Sequence, residues 1–191
     1  MSKLMWKPGT MLYPTPSVMV SCRNAEGENN IITIAWTGII CTDPAMLYIS
    51  IRPERHSYEM IKETSEFVVN IPNSKLTFAV DFCGVKSGRS VNKFEHLKLT
   101  AAKSNLVTSP YIDECPVNLE CRVKDIIKLG THDMFIAEIM CVNVDETLLD
   151  SKGKLHLNKA DLICYNHGEY RALGNSLGTF GYSVKKKPTK K

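Results

Sequence analysis

Residues 17–52 read SVMVSCRNAEGENNIITIAWTGIICTDPAMLYISIR, and this stretch decides the fold class. Three runs rich in apolar and β-branched residues, at positions 17–23, 30–41 and 46–52, are separated by the turn-forming AEGENN and by the break at residues 42–44. In the third run Leu47, Ile49 and Ile51 share one face of a strand. The second run is apolar on both faces, as in a strand buried on two sides. The stretch therefore predicts three consecutive strands in a meander with short turns.

The rest of the chain adds short helices and further strands. Residues 55–65 have helical composition after Pro53, and residues 74–83 carry apolar side chains at the spacing of one helix face, namely Leu76, Ala79, Val80 and Cys83. Residues 84–90 (GVKSGRS) contain two glycines and are expected to form a loop. Short apolar runs predict four more strands, at residues 66–71, 116–125, 133–144 and 161–165.

Residues 116–125 alternate between apolar and polar side chains. The alternation predicts that Val117, Leu119, Cys121 and Val123 face inward and that Asn118, Glu120, Arg122 and Lys124 face outward. Strands and helices follow one another without the regular βαβ rhythm of a doubly wound sheet. No GxGxxG follows a strand, and the P-loop pattern is missing. We therefore predict a mainly β fold, a small antiparallel β-barrel with short helices inserted.

Composition is that of a packed globular protein. The chain has 191 residues, 43% hydrophobic and 23% charged, which fits one domain over residues 1–183. No apolar run is long enough to span a membrane, and the N-terminus does not resemble a signal peptide. Seven cysteines occur without CxxC or another metal-like spacing, so most are expected to be buried reduced thiols. These features predict a cytoplasmic protein.

The net charge of +4 comes mainly from the C-terminus. The last nine residues, SVKKKPTKK, hold five lysines and no acids, so residues 184–191 are expected to form a flexible Lys-rich tail. Nothing upstream supplies a basic face interleaved with aromatic residues, which argues against nucleic-acid binding. The alternative, a tail that acts as a nucleic-acid arm, predicts salt-sensitive binding that disappears when the tail is deleted.

The densest polar cluster is IRPERHS at residues 51–57. It places Arg52, Arg55, His56 and Ser57 where a strand gives way to a helix. A helix N-terminus offers free backbone N–H groups and the positive end of the dipole, and arginine adds a cationic fork that suits phosphate. The residues alone leave two interpretations open: an anion site, or a solvated turn in which Ser57 is an ordinary N-cap.

Two further segments allow both a binding and a purely structural interpretation. NIITIAWT at residues 30–37 places Asn30, Trp36 and Thr37 in an apolar strand, which suits either a planar ligand or core packing. SGRSVNKFEHL, with Arg89, Lys93 and His96, and GTHDMF, with His132 in a turn, are by themselves typical of surface loops. No HExxH, GxSxG or cysteine-nucleophile motif occurs, so any redox chemistry would belong to a cofactor.

Taken in order, these segments resemble the flavin reductase-like, FMN-binding split-barrel family, of the flavoredoxin type. The resemblance covers residues 14–170 and rests on the opening YPTPSVMVSCRNAEGENNIITIAWTG followed by five shorter pieces. These are DPAMLYISIRPERHSYEMI, EFVVNIP, SGRSVNKFEHLKL, PVNLECRV and GTHDMFIAEI. Each piece alone is weak evidence, whereas the ordered set is specific.

The resemblance implies a six-stranded Greek-key barrel that forms a homodimer with FMN at the interface. It implies that Asn30, Trp36 and Thr37 face the isoalloxazine ring, and that Cys41 and Thr42 also line the site. The phosphate would be held by Arg52, Arg55, His56 and Ser57, with Lys93 nearby. His132 and Tyr165 would approach the flavin from elsewhere in the barrel or from the partner chain. The family often has Thr at the position of Ser57 and Phe near Tyr165; both exchanges keep the hydroxyl or the ring.

The implied activity is that of an FMN-dependent oxidoreductase without a protein catalytic residue. The flavin would take up electrons or hydride and pass them to a small-molecule or protein acceptor. Two versions remain open: an NAD(P)H-dependent flavin reductase with NAD(P)H as a transient donor, and a flavoredoxin-like electron carrier. An alternative from another class is a flavin-binding module of the same fold that does not turn over. Neither nucleic acid nor membrane is an expected partner.

Overall fold

The computed structural model describes residues 1–185, so positions 186–191 of the predicted Lys-rich tail lie outside the described residues. The strands are β1 Thr15–Pro16, β2 Val18–Arg23, β3 Asn29–Ile34, β4 Thr37–Thr42, β5 Ala45–Ile51, β6 Glu66–Ile71, β7 Ala101–Ala102, β8 Tyr111–Ile112, β9 Val117–Lys128, β10 Asp133–Val144, β11 Ile163–Asn166 and β12 Glu169–Ala172. The α-helices are α1 His56–Thr64, α2 Thr77–Val85 and α3 Lys93–Leu97.

Seven strands form one antiparallel sheet in the order β3-β2-β6-β9-β10-β5-β4. Its two ends, β3 and β4, are consecutive in the chain and are joined only by Ala35 and Trp36. The Ser50 N–H donates to the Trp36 carbonyl at 2.9 Å, which extends the pairing of β4 with β5 into this linker. The sheet therefore curls into a barrel around buried residues such as Val20, Ile49 and Phe67. The predicted mainly β barrel is confirmed.

The prediction of one strand over residues 30–41 is wrong, because the chain bends at Ala35 and Trp36 and forms β3 and β4 instead. Both flanking hairpins exist, since β2 pairs with β3 and β4 pairs with β5. The predicted meander is nevertheless wrong, since β3 and β4 occupy opposite ends of the sheet. After β5 the chain crosses through α1 to β6, which inserts between β2 and β9 in Greek-key fashion. If β3 and β4 are counted as one strand, the barrel has the six strands that the family resemblance implies.

A second, smaller core lies outside the barrel, under α2. The predicted apolar face of this helix is observed: Ala79, Val80 and Cys83 are buried, and Leu76 packs beside them. They pack against Met19 and Ile31 of β2 and β3, so these two strands are buried on both faces. The helix therefore lies beside β3, which becomes one wall of the candidate site.

The outward orientation predicted for Asn118 and Glu120 is wrong, because both side chains are buried. The alternation along β9 is real, but residues 104–112 cover the face that was expected to meet solvent. Glu120 accepts the Leu106 N–H at 2.6 Å and the Asn105 N–H at 2.8 Å. Although burial opposes ionisation, these backbone donors and the Asn143 amide hold the pKa of Glu120 below its usual value. A buried carboxylate thus fastens the covering segment to the barrel.

The described residues show neither a membrane span nor a metal cluster. No helix within residues 1–185 is long and apolar enough to cross a membrane. The same residues contain no group of three or more His, Cys, Asp or Glu placed to hold a metal ion. All seven cysteines are free; Cys22, Cys83, Cys115 and Cys121 are buried, and Cys41, Cys141 and Cys164 are partly buried.

Candidate functional site

Three connected clefts run along β3. The first, the α1 cleft, has a volume of about 330 Å³ and is lined by residues including Asn30, Arg55, His56, Ser57 and Lys93. The second, the Trp36 cleft, has about 240 Å³, is lined by Ala35, Trp36, Arg52, His132 and Tyr165 among others, and shares Ile32 and Arg55 with the first. The third, the Arg89 cleft, has about 650 Å³ and shares His56, Gly88 and Arg89 with the first. Most of the predicted site residues therefore line one continuous groove.

The N-terminus of α1 opens into the α1 cleft without a side-chain cap. Arg55 is the N-cap residue, and its side chain makes no capping hydrogen bond. Ser57 is not the N-cap; it lies inside the first turn and is buried. The first-turn N–H groups of a helix have no intrahelical acceptor, and here the positive end of the dipole points at the cleft. Of the two interpretations of IRPERHS, the structure excludes the one with Ser57 as an ordinary cap.

A buried polar pair forms the floor of the α1 cleft. Asn30 Nδ2 donates to Ser57 Oγ at 2.8 Å, and both residues are almost fully buried. This bond ties the first turn of α1 to β3 and fixes the direction of the Ser57 hydroxyl. Asn30 and Ser57, which are 27 residues apart in sequence, were both predicted as site residues, and the structure brings them into contact.

Lys93 lies beneath the same cleft and is almost fully buried, contrary to the surface loop that its sequence context suggests. Its ammonium donates to the Ile31 carbonyl at 2.6 Å and to the Cys83 carbonyl at 2.9 Å. Burial lowers the pKa of Lys93. An ammonium has three N–H donors. Two of them therefore join β3 to α2, and one is left to act on whatever occupies the cleft.

The wall opposite α1 is formed by two residues that were not among the predicted ligands, Gly88 and Arg89. A Cβ on Gly88 would lie 2.3 Å from Asn30 Oδ1 and 2.8 Å from His56 Cδ2, so the backbone itself closes the wall. Arg89 Nη1 donates to the Glu54 carbonyl at 3.0 Å, which holds the guanidinium near α1. The only sequence signal for this wall was the pair of glycines in GVKSGRS.

The positive charge of the α1 cleft affects the pKa of His56. Burial, followed by the positive charges of Arg89 and Lys93, lowers the pKa of this histidine. The neutral imidazole is therefore the favoured form in the free protein, and an anion placed beside it would favour the protonated form instead. The cleft gathers positive charge without a resident counter-ion among its lining side chains other than Glu54.

The Trp36 cleft is aromatic. The Trp36 ring is 38% exposed and lies 4.4 Å, centroid to centroid, from the His132 ring, so core packing is excluded for this tryptophan. Burial, together with the charge of Arg52, lowers the pKa of His132. Tyr165 lies at the same cleft on β11 and contacts Tyr13 and Tyr170 edge-to-face. A planar ligand would meet aromatic and apolar surface here, with Arg52 at the rim.

The α1 and Trp36 clefts are connected by a buried hydrogen bond. Tyr58, in the first turn of α1, donates its hydroxyl to Asp133 Oδ2 at 2.6 Å. This bond is the main reason that the pKa of Tyr58 rises to about 12. Asp133 begins β10 and directly follows His132. The helix of one cleft and the aromatic pair of the other are therefore held in a fixed relation.

Three predicted residues of β4 lie away from the α1 cleft. Thr37 Oγ1 donates to the Tyr48 carbonyl at 2.6 Å, so its hydroxyl serves the β4–β5 hairpin, although the residue borders Trp36. Cys41 and Thr42 lie at the far end of that hairpin, opposite Met46 and Ala45. They line none of the three clefts within one chain.

Two thiols lie close to the α1 cleft. Cys83 lines it, and Cys22 packs beneath Asn30 and Met60. Burial raises the pKa of Cys22 to about 12 and that of Cys83 to about 11. Both therefore remain protonated near neutral pH.

Comparison with known proteins places this arrangement in a family. Residues 10–174 match the family described as flavin reductase like domain. The flavoredoxin of Desulfovibrio vulgaris (Miyazaki F) is 32% identical and superposes with a TM-score of 0.90 over 96% of this chain and 100% of that one. The flavoredoxin from Methanosarcina acetivorans is 27% identical, with a TM-score of 0.86 over 97% of this chain and 100% of that one.

A relative in sequence supports the same grouping. An uncharacterised protein of Archaeoglobus fulgidus is 35% identical over 141 residues, which is 74% of this chain and 78% of the relative. The family resemblance seen in the ordered motifs is thus confirmed by the match over residues 10–174 and by the superposed barrels. From its motifs, its strand order and these matches together, this chain belongs to the flavin reductase-like split-barrel family.

Proposed function

We propose that this chain is an FMN-binding redox protein that takes up electrons or hydride on the flavin and passes them to a second acceptor. One observation carries the proposal: the uncapped N-terminus of α1 opens into a cationic cleft that is continuous with an aromatic one. A flavin mononucleotide has the same two parts, a dianionic phosphate and a planar ring. Family membership and the flavoredoxin superpositions support the same conclusion.

The residues of the α1 cleft fit a phosphate. The backbone N–H groups of His56 and Ser57 and the Ser57 hydroxyl can donate to an anion. The guanidinium groups of Arg55 and Arg89 add positive charge. Gly88 supports this assignment, because a Cβ there would collide with Asn30 and His56, and its absence lets both side chains keep their places in the cleft. Protonation of His56 on anion binding would add a further favourable charge.

The Trp36 cleft fits the ring. Trp36 and His132 form an aromatic wall, Tyr165 lies on another side, and Arg52 supplies positive charge at the rim. When bound, the flavin supplies the redox chemistry, so the protein needs to hold the ring, shield it from water and set its hydrogen bonds. We assign no general base, because hydride transfer to a flavin requires none.

The proposed homodimer gives Cys41 and Thr42 a role that one chain does not. Strand β4 is at the end of the sheet order and exposes Ile39 and Ile40, by 69% and 47% respectively. An exposed apolar edge strand is a surface that proteins cover. A second copy packed on β4 would place these residues near its own flavin. Light scattering should therefore give a dimer mass, and a monomer that binds FMN normally would contradict this arrangement.

The first test is an absorption spectrum after FMN is added and the protein desalted, followed by anaerobic NADH and NADPH. Retained absorbance at about 450 nm that bleaches when NADH or NADPH is added would identify an NAD(P)H-dependent reductase. Retained colour without bleaching favours the flavoredoxin-like carrier, which should also turn over negligibly with NADH or NADPH. A flavin that no physiological reductant reduces would favour the non-catalytic binding module. A colourless protein would refute FMN binding.

The phosphate placement is tested by replacing Arg55 and Ser57 together with alanine. The double variant should weaken FMN binding by about 100-fold, since a charge-assisted contact and a hydrogen bond are lost. The matched control is Arg171→Ala with Ser176→Ala, an exposed pair away from the groove. Unchanged FMN affinity in the Arg55 and Ser57 variant would show that the phosphate lies elsewhere.

The ring placement is tested at Trp36. Trp36→Leu should perturb the flavin absorption spectrum more than the affinity, because the phosphate contacts remain. Trp6→Leu is the matched control, since Trp6 is 72% exposed in the N-terminal segment. A spectrum that changes equally in both variants would contradict the assignment of Trp36 to the ring.

A further inference from the structure

Helix α2 is apolar on two opposite sides, although only one of them packs on the barrel. Its inner side forms the second core described above. Phe78, Phe82 and Val85 follow one another at the spacing of its outer side. Phe78 is 73% exposed and Val85 68%. A helix that is apolar all round is normally buried all round. The outer side of α2 is therefore a surface that another molecule can cover.

The aromatic rings on this outer side form a continuous row. The Phe82 ring stacks on the His96 ring of α3, with the centroids 4.5 Å apart and the planes inclined by 15°. Phe78 extends the row, because its ring lies 6.2 Å from that of Phe82 at an inclination of 28°. We call Phe78, Phe82 and His96 the aromatic row. Stacking holds the rings in place, so little side-chain freedom remains to be lost when a partner binds.

Positive charge borders the aromatic row. Lys75 precedes α2, Lys86 directly follows it, and Lys98 directly follows α3. All three lysines are exposed, and none of them forms an ion pair within residues 1–185. The acidic side chains of the two helices are engaged elsewhere: Asp81 accepts a tyrosine hydroxyl of β12 at 3.2 Å, and Glu95 lines the Arg89 cleft. The sequence did not reveal this basic aromatic surface, because its parts come from different helices.

The C-terminal end of α2 borders the proposed flavin site. Gly84 and Lys86 line the α1 cleft. Gly84 and Val85 also line a fourth cleft, of about 330 Å³, which shares three lining residues with the Trp36 cleft. A protein seated on the aromatic row would therefore stand beside both parts of the proposed flavin site, as electron transfer between two proteins requires.

A second copy of this chain does not suit the surface. In a two-fold symmetric dimer, a surface patch meets the same patch of the partner. The outer side of α2 would then bring Lys75, Lys86 and Lys98 towards identical lysines, and like charges that face each other across an interface are costly. A partner with an acidic surface has the complementary charge and is steered towards this face.

We propose that the aromatic row and its bordering lysines form the docking surface for an acidic electron-transfer protein that reduces the bound flavin. The proposal rests on the proposed function, because it takes the clefts beside α2 as the flavin site. It names the electron donor as a protein rather than a nicotinamide. Two encounters with a one-electron donor oxidise two donor molecules and give the flavin two electrons, and the accompanying protons come from water.

The test measures reduction of the FMN-loaded protein by an acidic plant-type ferredoxin, reduced beforehand, in an anaerobic stopped-flow experiment. Phe78→Ala with Lys75→Glu alters the docking surface, and neither residue lines any of the four clefts. Phe180→Ala with Lys152→Glu is the matched control, since both residues are exposed and lie outside α2 and α3. The FMN dissociation constant and the rate of reduction by dithionite, which needs no docking, are measured in every variant.

We expect the second-order rate constant for reduction by ferredoxin to fall about tenfold or more in Phe78→Ala with Lys75→Glu. The wild-type rate constant should also fall as salt is added, because the attraction is between exposed charges. The control variant, the dithionite rates and the FMN affinities should remain at their wild-type values.

Equal ferredoxin rates in the two variants, or a wild type that ferredoxin does not reduce, would overturn the docking surface while FMN binding stands. Loss of the dimer mass in Phe78→Ala with Lys75→Glu would show that a second copy covers α2. Loss of binding to phosphatidylserine vesicles or to single-stranded RNA, with an unchanged ferredoxin rate, would assign the surface to a membrane or to nucleic acid; each of these results also overturns the proposal. If wild type binds no FMN, the proposed function fails and this inference fails with it.

Discussion

Replacing Gly88 with alanine is the sharpest single test of the α1 cleft. The new Cβ would lie 2.3 Å from Asn30 Oδ1, so about 1 Å of displacement is needed to reach ordinary contact. Asn30 is buried and donates to Ser57, and it cannot move without stretching that bond. A lost buried hydrogen bond costs about 1–3 kcal/mol. If the displaced Asn30 and Ser57 no longer hold the anion as in wild type, FMN binding should lose about 2 kcal/mol of free energy, which corresponds to a roughly 30-fold higher dissociation constant.

The assay is a flavin fluorescence titration of the apoprotein, with thermal unfolding measured in parallel. Gly174→Ala is the matched control, because a Cβ there would have no atom within 4 Å and the backbone is not left-handed. We expect the control to bind FMN as wild type does. The unfolding temperature of Gly88→Ala should fall by several degrees, about 2–4 °C for each kcal/mol in a domain of this size.

The reasoning is refuted if Gly88→Ala binds FMN with the wild-type dissociation constant. That result would mean either that Asn30 and His56 move without consequence or that the phosphate does not reach them. The two cases are separated by Asn30→Ala, which removes the side chain that the new Cβ would strike. Wild-type affinity in both variants would place the phosphate outside the α1 cleft.

Three further outcomes follow from buried groups. Tyr58→Phe removes the hydroxyl that donates to Asp133 and should lower the free energy of unfolding by about 1–3 kcal/mol, measured by urea denaturation; a smaller change would contradict a stabilising role for this buried hydrogen bond. Lys93→Met leaves two buried carbonyls without their donor and should cost about 2 kcal/mol, whereas the exposed control Lys152→Met should cost almost nothing. The pKa values of His56 and His132 are lowered in the folded state, so at acidic pH the unfolded chain binds more protons than the folded one. The free energy of unfolding of the apoprotein, measured by urea denaturation, should therefore decrease as the pH falls below about 6.5. The double variant His56→Gln with His132→Gln should show a weaker dependence of this free energy on pH.

Local sequence patterns predicted the parts of the fold that depend on near neighbours. The alternation of Leu47, Ile49 and Ile51 and the helical spacing of Ala79, Val80 and Cys83 correspond to buried faces in the structure. The bend between β3 and β4 was missed, because Ala35 and Trp36 include neither Gly nor Pro. At the bend the chain changes its strand partner from β2 to β5, and that exchange depends on the whole sheet and leaves no local signal.

Long-range packing also explains the errors in burial. Glu120 has the charge and the spacing of a solvent-facing residue. Residues 104–112 cover it, and their backbone N–H groups donate to its carboxylate, which offsets the cost of burying the charge. Lys93 likewise resembles a surface lysine, yet the carbonyls of β3 and α2 surround its ammonium. Neither environment can be inferred from neighbouring residues.

The candidate site likewise has a part that local sequence predicted and a part that it did not. Arg52, Arg55, His56 and Ser57 were predicted together because they are nearly consecutive and share the start of a helix. Gly88 and Arg89 complete the same cleft from more than 30 residues away, and a loop glycine has many possible causes. The placement of Cys41 and Thr42 near the flavin stays a prediction that depends on a second copy of the chain.

The raised pKa values of the cleft thiols have a consequence for chemical durability. Reduced flavins react with oxygen and release peroxide, and peroxide attacks thiolates far faster than thiols. With a pKa of about 11, roughly one Cys83 side chain in ten thousand is ionised at neutral pH. The two thiols of the α1 cleft, Cys22 and Cys83, are therefore poorly reactive towards peroxide. Oxidative damage should begin instead at the partly buried Cys164, which lines none of the three clefts.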